Sequence, residues 1–281
     1  MKRPYVSFLL FLAVLLLPPA ARAERIEQTF PAERDTLVEV RNLYGRVSVH
    51  SWNRPRVQVV ALRRSRAVEV HLEQNASQIH VHTHLLQSSA PASERAVDFE
   101  VLAPAYVDLK IHLETGSLQV ENFTEDVTIE TVAAGVLLRN LSGHTSVATL
   151  NGSIQVERTT GRLEASSISG SLRFVDMGSR FLVAKSTSGD IYYYGDFFPG
   201  GSYDFINNQG MVELRVPASA SFELRANSVK GEVINELPIT PHTHGRLPRP
   251  AGARSLLGTV HAGEAMVRVT SFSGTIRLRK Q

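Results

Sequence analysis

Three imidazoles stand at alternate positions in Ile79-His80-Val81-His82-Thr83-His84. On an extended strand His80, His82 and His84 project from one face at intervals of about 7 Å. Neighbours in such a row can share a metal, since zinc–nitrogen bonds run about 2.0–2.1 Å. No carboxylate lies in the row to complete a set. The competing expectation is a solvated polar face opposite Ile79 and Val81. We therefore expect no metal site and no cofactor, with these three residues as the ligands a metal would use.

A second cluster is aromatic: Tyr192-Tyr193-Tyr194-Gly195-Asp196-Phe197-Phe198, followed by Tyr203 and Phe205. Exposed aromatic faces stack on sugar rings, which makes Tyr192, Tyr194, Phe197 and Tyr203 the candidate ligand-binding residues. Alternation offers packing instead. Ile191 and Tyr193 point one way and Tyr192 and Tyr194 the other, so one set fits a core ladder. The carboxylates Asp176, Asp190, Asp196, Asp204, Glu213 and Glu223 are scattered. Glycoside hydrolysis needs two at a set separation, and no pair is privileged here. The G-x-S-x-G nucleophile elbow is missing. With 0 cysteines there is no disulfide, thiolate site, thiol nucleophile or cysteine-linked lipid. The chain reads as non-enzymatic.

The first 23 residues read as a signal peptide. Lys2 and Arg3 precede an uncharged stretch from Tyr5 to Leu17, then Pro18-Pro19 and an Ala21-Arg22-Ala23 cleavage site. As a helix that stretch rises only about 20 Å, short of a bilayer core of about 30 Å. The expected mature chain starts at Glu24, is exported to the periplasm or cell surface, and keeps no transmembrane segment. The full chain has 30 basic and 27 acidic residues. Lys2, Arg3 and Arg22 leave with the leader, so the charges then balance. That removes the electrostatic case for nucleic acid.

The elements that must position these residues are short strands. Val38/Val40, Val68/Val70/Leu72, Val107/Leu109/Ile111/Leu113, Ile154/Val156, Leu172/Phe174, Val212/Leu214/Val216 and Ile276/Leu278 all alternate with polar residues. Glycine recurs every nine residues at Gly143, Gly152, Gly161 and Gly170, then at 19 and 21 residues through Gly189, Gly210 and Gly231. Each unit is an alternating strand and a small-polar turn. We expect an all-β chain in which one rung is two strands and two turns. The fold class is a single-stranded β-solenoid, with an antiparallel β-meander sandwich as the alternative. Ile154, Leu172, Val212, Leu214, Phe222, Leu224, Ile276 and Leu278 should share one interior. Gln155, Arg173, Glu213, Glu223 and Arg277 should lie outside. Residues 24–104 are less regular and read as an N-terminal β-module or cap, and residues 105–281 as the repeat domain. A Pro- and Gly-rich stretch at about 236–264 reads as a mobile loop. The charged last strand, Thr275 to Lys280, suits a sheet edge.

These residues also carry a family resemblance. The repeated T-x-S/N-G-x-I/V-x-V strands are joined by a Pro104-Ala105-Tyr106-Val107-Asp108-Leu109-Lys110-Ile111 lead-in. The close reads Leu256-Leu257-Gly258-Thr259-Val260, then residues 263–278, GEAMVRVTSFSGTIRL. The pattern resembles the bacterial DUF4097 group of β-strand-repeat, adhesin-like proteins over roughly 36–280. It departs at Val260-His261-Ala262-Gly263, where the family has a more glycine-rich turn. The resemblance implies export, a β-repeat fold and no catalytic residues. The function expected is an adhesin-like scaffold presenting a polar strand face to another macromolecule, an envelope protein or a glycan. The alternatives are a carbohydrate-binding or carbohydrate-active solenoid, and a periplasmic metal binder using the histidine strand.

Overall fold

The computed structural model describes residues 23–241 and 254–281. The expected leader at 1–23, apart from Ala23, lies outside these residues, as does the centre of the 236–264 stretch. The chain opens with β1 (Glu24–Pro31) and the long β2 (Leu37–Trp52). Then come β3 (Arg56–Arg63), β4 (Val68–Asn75), β5 (Gln78–Leu85), a helical turn at Ala92–Arg95, and β6 (Val97–Pro104). Two more long strands follow, β7 (Asp108–Glu121) and β8 (Val127–Arg139). After them each rung is a pair of short strands. These are β9 (Thr145–Thr149) with β10 (Ile154–Glu157), β11 (Arg162–Ser167) with β12 (Leu172–Val175), and β13 (Phe181–Ser186) with β14 (Ile191–Tyr194). The next are β15 (Ser202–Asn207) with β16 (Val212–Val216), and β17 (Phe222–Ser228) with β18 (Val233–Asn235). β19 (Thr240–Pro241) and β20 (Ser255–Val260) lead to the last pair, β21 (Ala265–Ser271) and β22 (Ile276–Lys280).

The stack is a β-solenoid with two walls. In the first wall β8, β9, β11, β13 and β15 lie side by side, all parallel. In the second, β8, β10, β12, β14 and β16 do the same. Ile154 pairs with Leu172, and Leu172 with Ile191, so a rung is two nine-residue units. Parallel neighbours rule out the antiparallel meander. β2, β7 and β8 each span both walls, pairing through their first halves in one and their second halves in the other. β2 and β7 turn the corner at Gly45 (φ 124°) and Gly116 (φ 140°), where a side chain would be strained. Because β2 pairs with β7 from Leu37↔Asp108 to His50↔Glu121, the sheet runs unbroken through residue 104. The parallel ladder therefore includes β2, within residues 24–104.

The interior is one apolar cluster. Ile154, Leu172, Val212, Leu214, Phe222, Leu224, Ile276 and Leu278 are all buried. Gln155, Arg173, Glu223 and Arg277 sit in the outer face, as alternation requires. Glu213 also takes an outward position but is only 3% exposed. Arg215 Nε reaches its Oε1 at 2.7 Å, and Arg279 its Oε2 at 3.9 Å.

The turns between walls follow a frame in which a buried Ser, Thr or Asn precedes glycine by three residues. Thr149 Oγ1 accepts a hydrogen bond from Gly152 N at 2.9 Å, Ser167 Oγ from Gly170 N at 2.7 Å, and Ser271 Oγ from Gly274 N at 2.8 Å. Laid side by side by the ladder, these residues form a polar column inside an apolar core. Gly152 is required by proximity, not by positive φ: a Cβ there would stand 1.8 Å from the Ala134 carbonyl oxygen. Gly152→Val must push two rungs apart. The expected loss is about 2 kcal/mol or more, read as a fall in urea midpoint. An unchanged midpoint would mean the rungs do not touch at this corner.

Both ends are closed by antiparallel strands. β3 pairs with β1 and β6 at one end, and β4 with β5. At the other end β20 pairs with β17 and β19. The part of the 236–264 stretch that is described is thus a cap. Repeat stacks need such capping units. The last pair does not follow β17 and β18 in space. β21 lies between β15 and β17, and β22 between β16 and β18, all parallel. The charged C-terminal strand is an interior member of its wall and not the edge expected from its sequence.

Candidate functional site

The turn frame has a consequence on the outside. The residue after each buried Ser, Thr or Asn must face outward. It is apolar in most rungs: Leu43, Val132, Leu150, Ile168, Phe272 and Val229. Leu150, Ile168 and Phe272 are 45%, 50% and 46% exposed. Rungs stand about 4.8 Å apart, so these side chains form a broken aliphatic rim along the stack. Below the rim runs a groove of ≈ 1430 Å³ in the outer face of the first wall. Small residues, Ala148 and Ser166, form its middle, and Lys185 and Ile206 stand further along. Three buried polar atoms in the adjoining column, Thr131 Oγ1, Ser186 Oγ and Asn207 Oδ1, lack a hydrogen-bond partner among the described residues.

The N-terminal end of the groove holds two of the three strand histidines. His80 and His82 line it, together with His112, Glu39, Arg41 and Glu130. The row is spread among separate partners. His80 Nδ1 lies 3.1 Å from Glu39 Oε2, while Arg41 and Lys110 approach the other oxygen, Oε1. Burial pushes the Glu39 carboxyl up, but the hydrogen bond from Arg41 and the neighbouring cations outweigh it and hold the pKa below the usual value. His82 stacks on His71 across the β4–β5 pair, ring centroids 4.9 Å apart. Burial first, then the His71 charge, lowers its pKa and favours the neutral ring. His84 is exposed and sits opposite Glu69. No group of three or more His, Cys, Asp or Glu side chains among the described residues is placed to hold a metal ion.

The aromatic cluster divides. Tyr193, Phe197 and Tyr203 are 0%, 3% and 1% exposed and pack on one another and on Phe205 and Phe222. Phe197 folds into the core from a turn, and its backbone N–H donates to Asp196 Oδ1 at 2.8 Å. Tyr203 Oη donates to Ser179 O at 2.8 Å. Both are core residues, so neither belongs to a surface platform. Tyr192 and Tyr194 remain on the outer face of the second wall. Their rings stack with centroids 6.3 Å apart. Arg173 lies over both, at 4.9 and 5.3 Å, and Arg215 over Tyr194 at 5.5 Å. Burial, then the hydrogen bond to Asp190, raises the Tyr192 pKa.

The groove was not legible as a site because each rim residue is a lone apolar in a polar turn. The signal that would have found it is the frame itself: Thr149-Leu150-Asn151-Gly152, Ser167-Ile168-Ser169-Gly170, Ser271-Phe272-Ser273-Gly274.

A two-walled stack with glycine corners and capped ends defines the class of protein: a β-solenoid built from short strand repeats. The family model Toastrack DUF4097 matches residues 11–279, and the chain belongs to that family. Among solved structures, a putative adhesin from Bacteroides fragilis NCTC 9343 is 11% identical, covers 92% of this chain and 97% of its own, and superposes with a TM-score of 0.51. A putative adhesin from Parabacteroides distasonis ATCC 8503 is 9% identical, with 92% and 98% covered and a TM-score of 0.39. A putative cell adhesion protein from Clostridium sporogenes ATCC 15579 is 9% identical, with 92% and 100% covered and a TM-score of 0.27. A search of the curated proteins finds no match. Among the described residues no helix is long and apolar enough to cross a membrane.

Proposed function

We propose that the protein is an exported, non-enzymatic, adhesin-like scaffold that holds another macromolecule of the cell envelope along the groove of its first wall. One observation supports this most. The half-exposed apolar rim runs over three successive rungs at Val132, Leu150 and Ile168 and resumes at Phe272 and Val229, beside the groove. Contiguous exposed apolar surface of this kind is uncommon on a monomer unless something binds it. The export reading rests on the Lys2-Arg3 leader and its Ala21-Arg22-Ala23 site.

The test is a double variant, Leu150→Glu with Ile168→Glu. Both side chains are about half exposed, so the melting temperature should stay close to the parent's. Retention of the purified protein on envelope fractions should fall at least about tenfold, a loss of about 1.4 kcal/mol. Equal retention of parent and variant removes the groove from the function. A carbohydrate reading keeps one supporting observation, the outward Tyr192 and Tyr194. Their ring contacts with arginine change what such a ligand would have to be.

A further inference from the structure

The second wall changes character along the stack. Over β7, β8 and β10 its outward charges cancel within one ladder. Arg139 bonds Glu121 at 3.1 Å and Glu157 at 2.8 Å, and His50 meets Glu121 at 3.4 Å. From β12 to β22 the balance is lost. Arg173, Arg215, Arg277 and Arg279 face outward against one carboxylate on these strands, Glu213. Glu213 is buried and already engaged by Arg215 and Arg279. Arg279 also meets Glu236 at 3.3 Å on the neighbouring rung. Arg173 and Arg277 form no ion pair among the described residues.

Tyr192 and Tyr194 hold Arg173, and Tyr194 also holds Arg215. A guanidinium over a ring keeps its N–H donors in its own plane, where they suit a carboxylate fork. The same contacts cover the aromatic faces that a neutral sugar would need. We propose that this patch binds an acidic polysaccharide lying along the stack axis, with carboxylates on Arg173 and Arg277 and on the outer donors of Arg215 and Arg279. Arg173 and Arg277 are three ladder steps apart, roughly 14 Å, and Arg215 and Arg279 are on adjacent strands. A charge-bearing chain can therefore meet them in succession. Two other polyanions fit less well. A lipid surface wants apolar side chains to insert, and Val175 is the one outward apolar residue on these four strands. Single-stranded nucleic acid wants free aromatic faces, and these are occupied. The inference needs neither the groove nor its partner.

The experiment is titration of the purified full chain with polygalacturonate fragments at two salt concentrations. Dextran, polyglutamate and phosphatidylglycerol vesicles are the comparison probes. Polygalacturonate should bind, more weakly at the higher salt, and dextran should not. Arg173→Ala with Arg277→Ala should weaken binding at least about tenfold with little change in melting temperature. Arg173→Lys keeps the charge but loses the planar fork, and should weaken it about threefold. The groove variant Leu150→Glu with Ile168→Glu should bind polygalacturonate as the parent does, so the two sites fail or stand separately. Absence of polygalacturonate binding overturns the proposal, as does binding undiminished in the arginine variant. Polyglutamate or vesicles bound as tightly as polygalacturonate would also overturn it, by reducing the patch to charge alone.

Discussion

Leu172→Asp should abolish the cooperative melting of the stack. Leu172 has no exposed surface and sits between Ile154 and Ile191 on neighbouring rungs. Removing a buried leucine costs about 2–5 kcal/mol, and leaving an unpaired carboxylate in its place adds several more. The sum approaches the whole stability of an ordinary domain, about 5–15 kcal/mol. Because each rung rests on the next, the damage should spread across several of them. The next residue is the control. Arg173 points outward, and Arg173→Ala loses a stacking contact worth about 1 kcal/mol or less. Circular dichroism melts of the two variants separate the faces. A Leu172→Asp protein that melts like its parent would show that the register is wrong.

Ending the chain after Glu264 should be nearly as damaging. The 17 residues removed, 265–281, include Val267, Val269, Ile276 and Leu278, all without exposed surface. At about 1.5–3 kcal/mol for each buried side chain, the loss is on the order of 6–12 kcal/mol. It also strips a neighbour from β15, β16, β17 and β18 together. Limited proteolysis should find the truncated protein open through its C-terminal rungs, or unfolded throughout. A strand at the edge of the wall would be dispensable by comparison. Resistance equal to the intact chain would place β21 and β22 there.

Alternation and glycine spacing are local properties, and what depended on them could be read directly. The period of two assigned the faces, so Ile154 to Leu278 were placed inside and Arg173 and Arg277 outside. What depended on spatial neighbours could not be read this way. Glu213 alternates outward like Arg215, and it is buried by the side chains around it on the folded surface, where Arg215 and Arg279 pair with it. Phe197 lies in a turn with no period, and its inward path follows from the pocket that Tyr193, Tyr203 and Phe222 leave. Tyr203 shares its parity with the buried Phe205, so its burial was legible once the strand was set. The strand order was hidden for another reason. Val233 and Ile276 both open strands of the same pattern, and each could stack beside Val212. In the structure Ile276 pairs with Val212 and Val233 pairs with Ile276. Nothing within either strand distinguishes the two arrangements.

That insertion also bears on time. A polypeptide is made from its N-terminus, so β17 and β18 exist before β21 and β22 do. Their alternation suits β15 and β16 as well as it suits their final neighbours. An early chain can therefore shelve β17 on β15, one place too close, and must release it when the last strands arrive. Contacts that close over long stretches of sequence form slowly, and exchange of one strand pair for another adds a second barrier. The order of synthesis and the order of stacking differ here, as they do at β6, which pairs with both β2 and β3, and such places should set the slow phases of refolding.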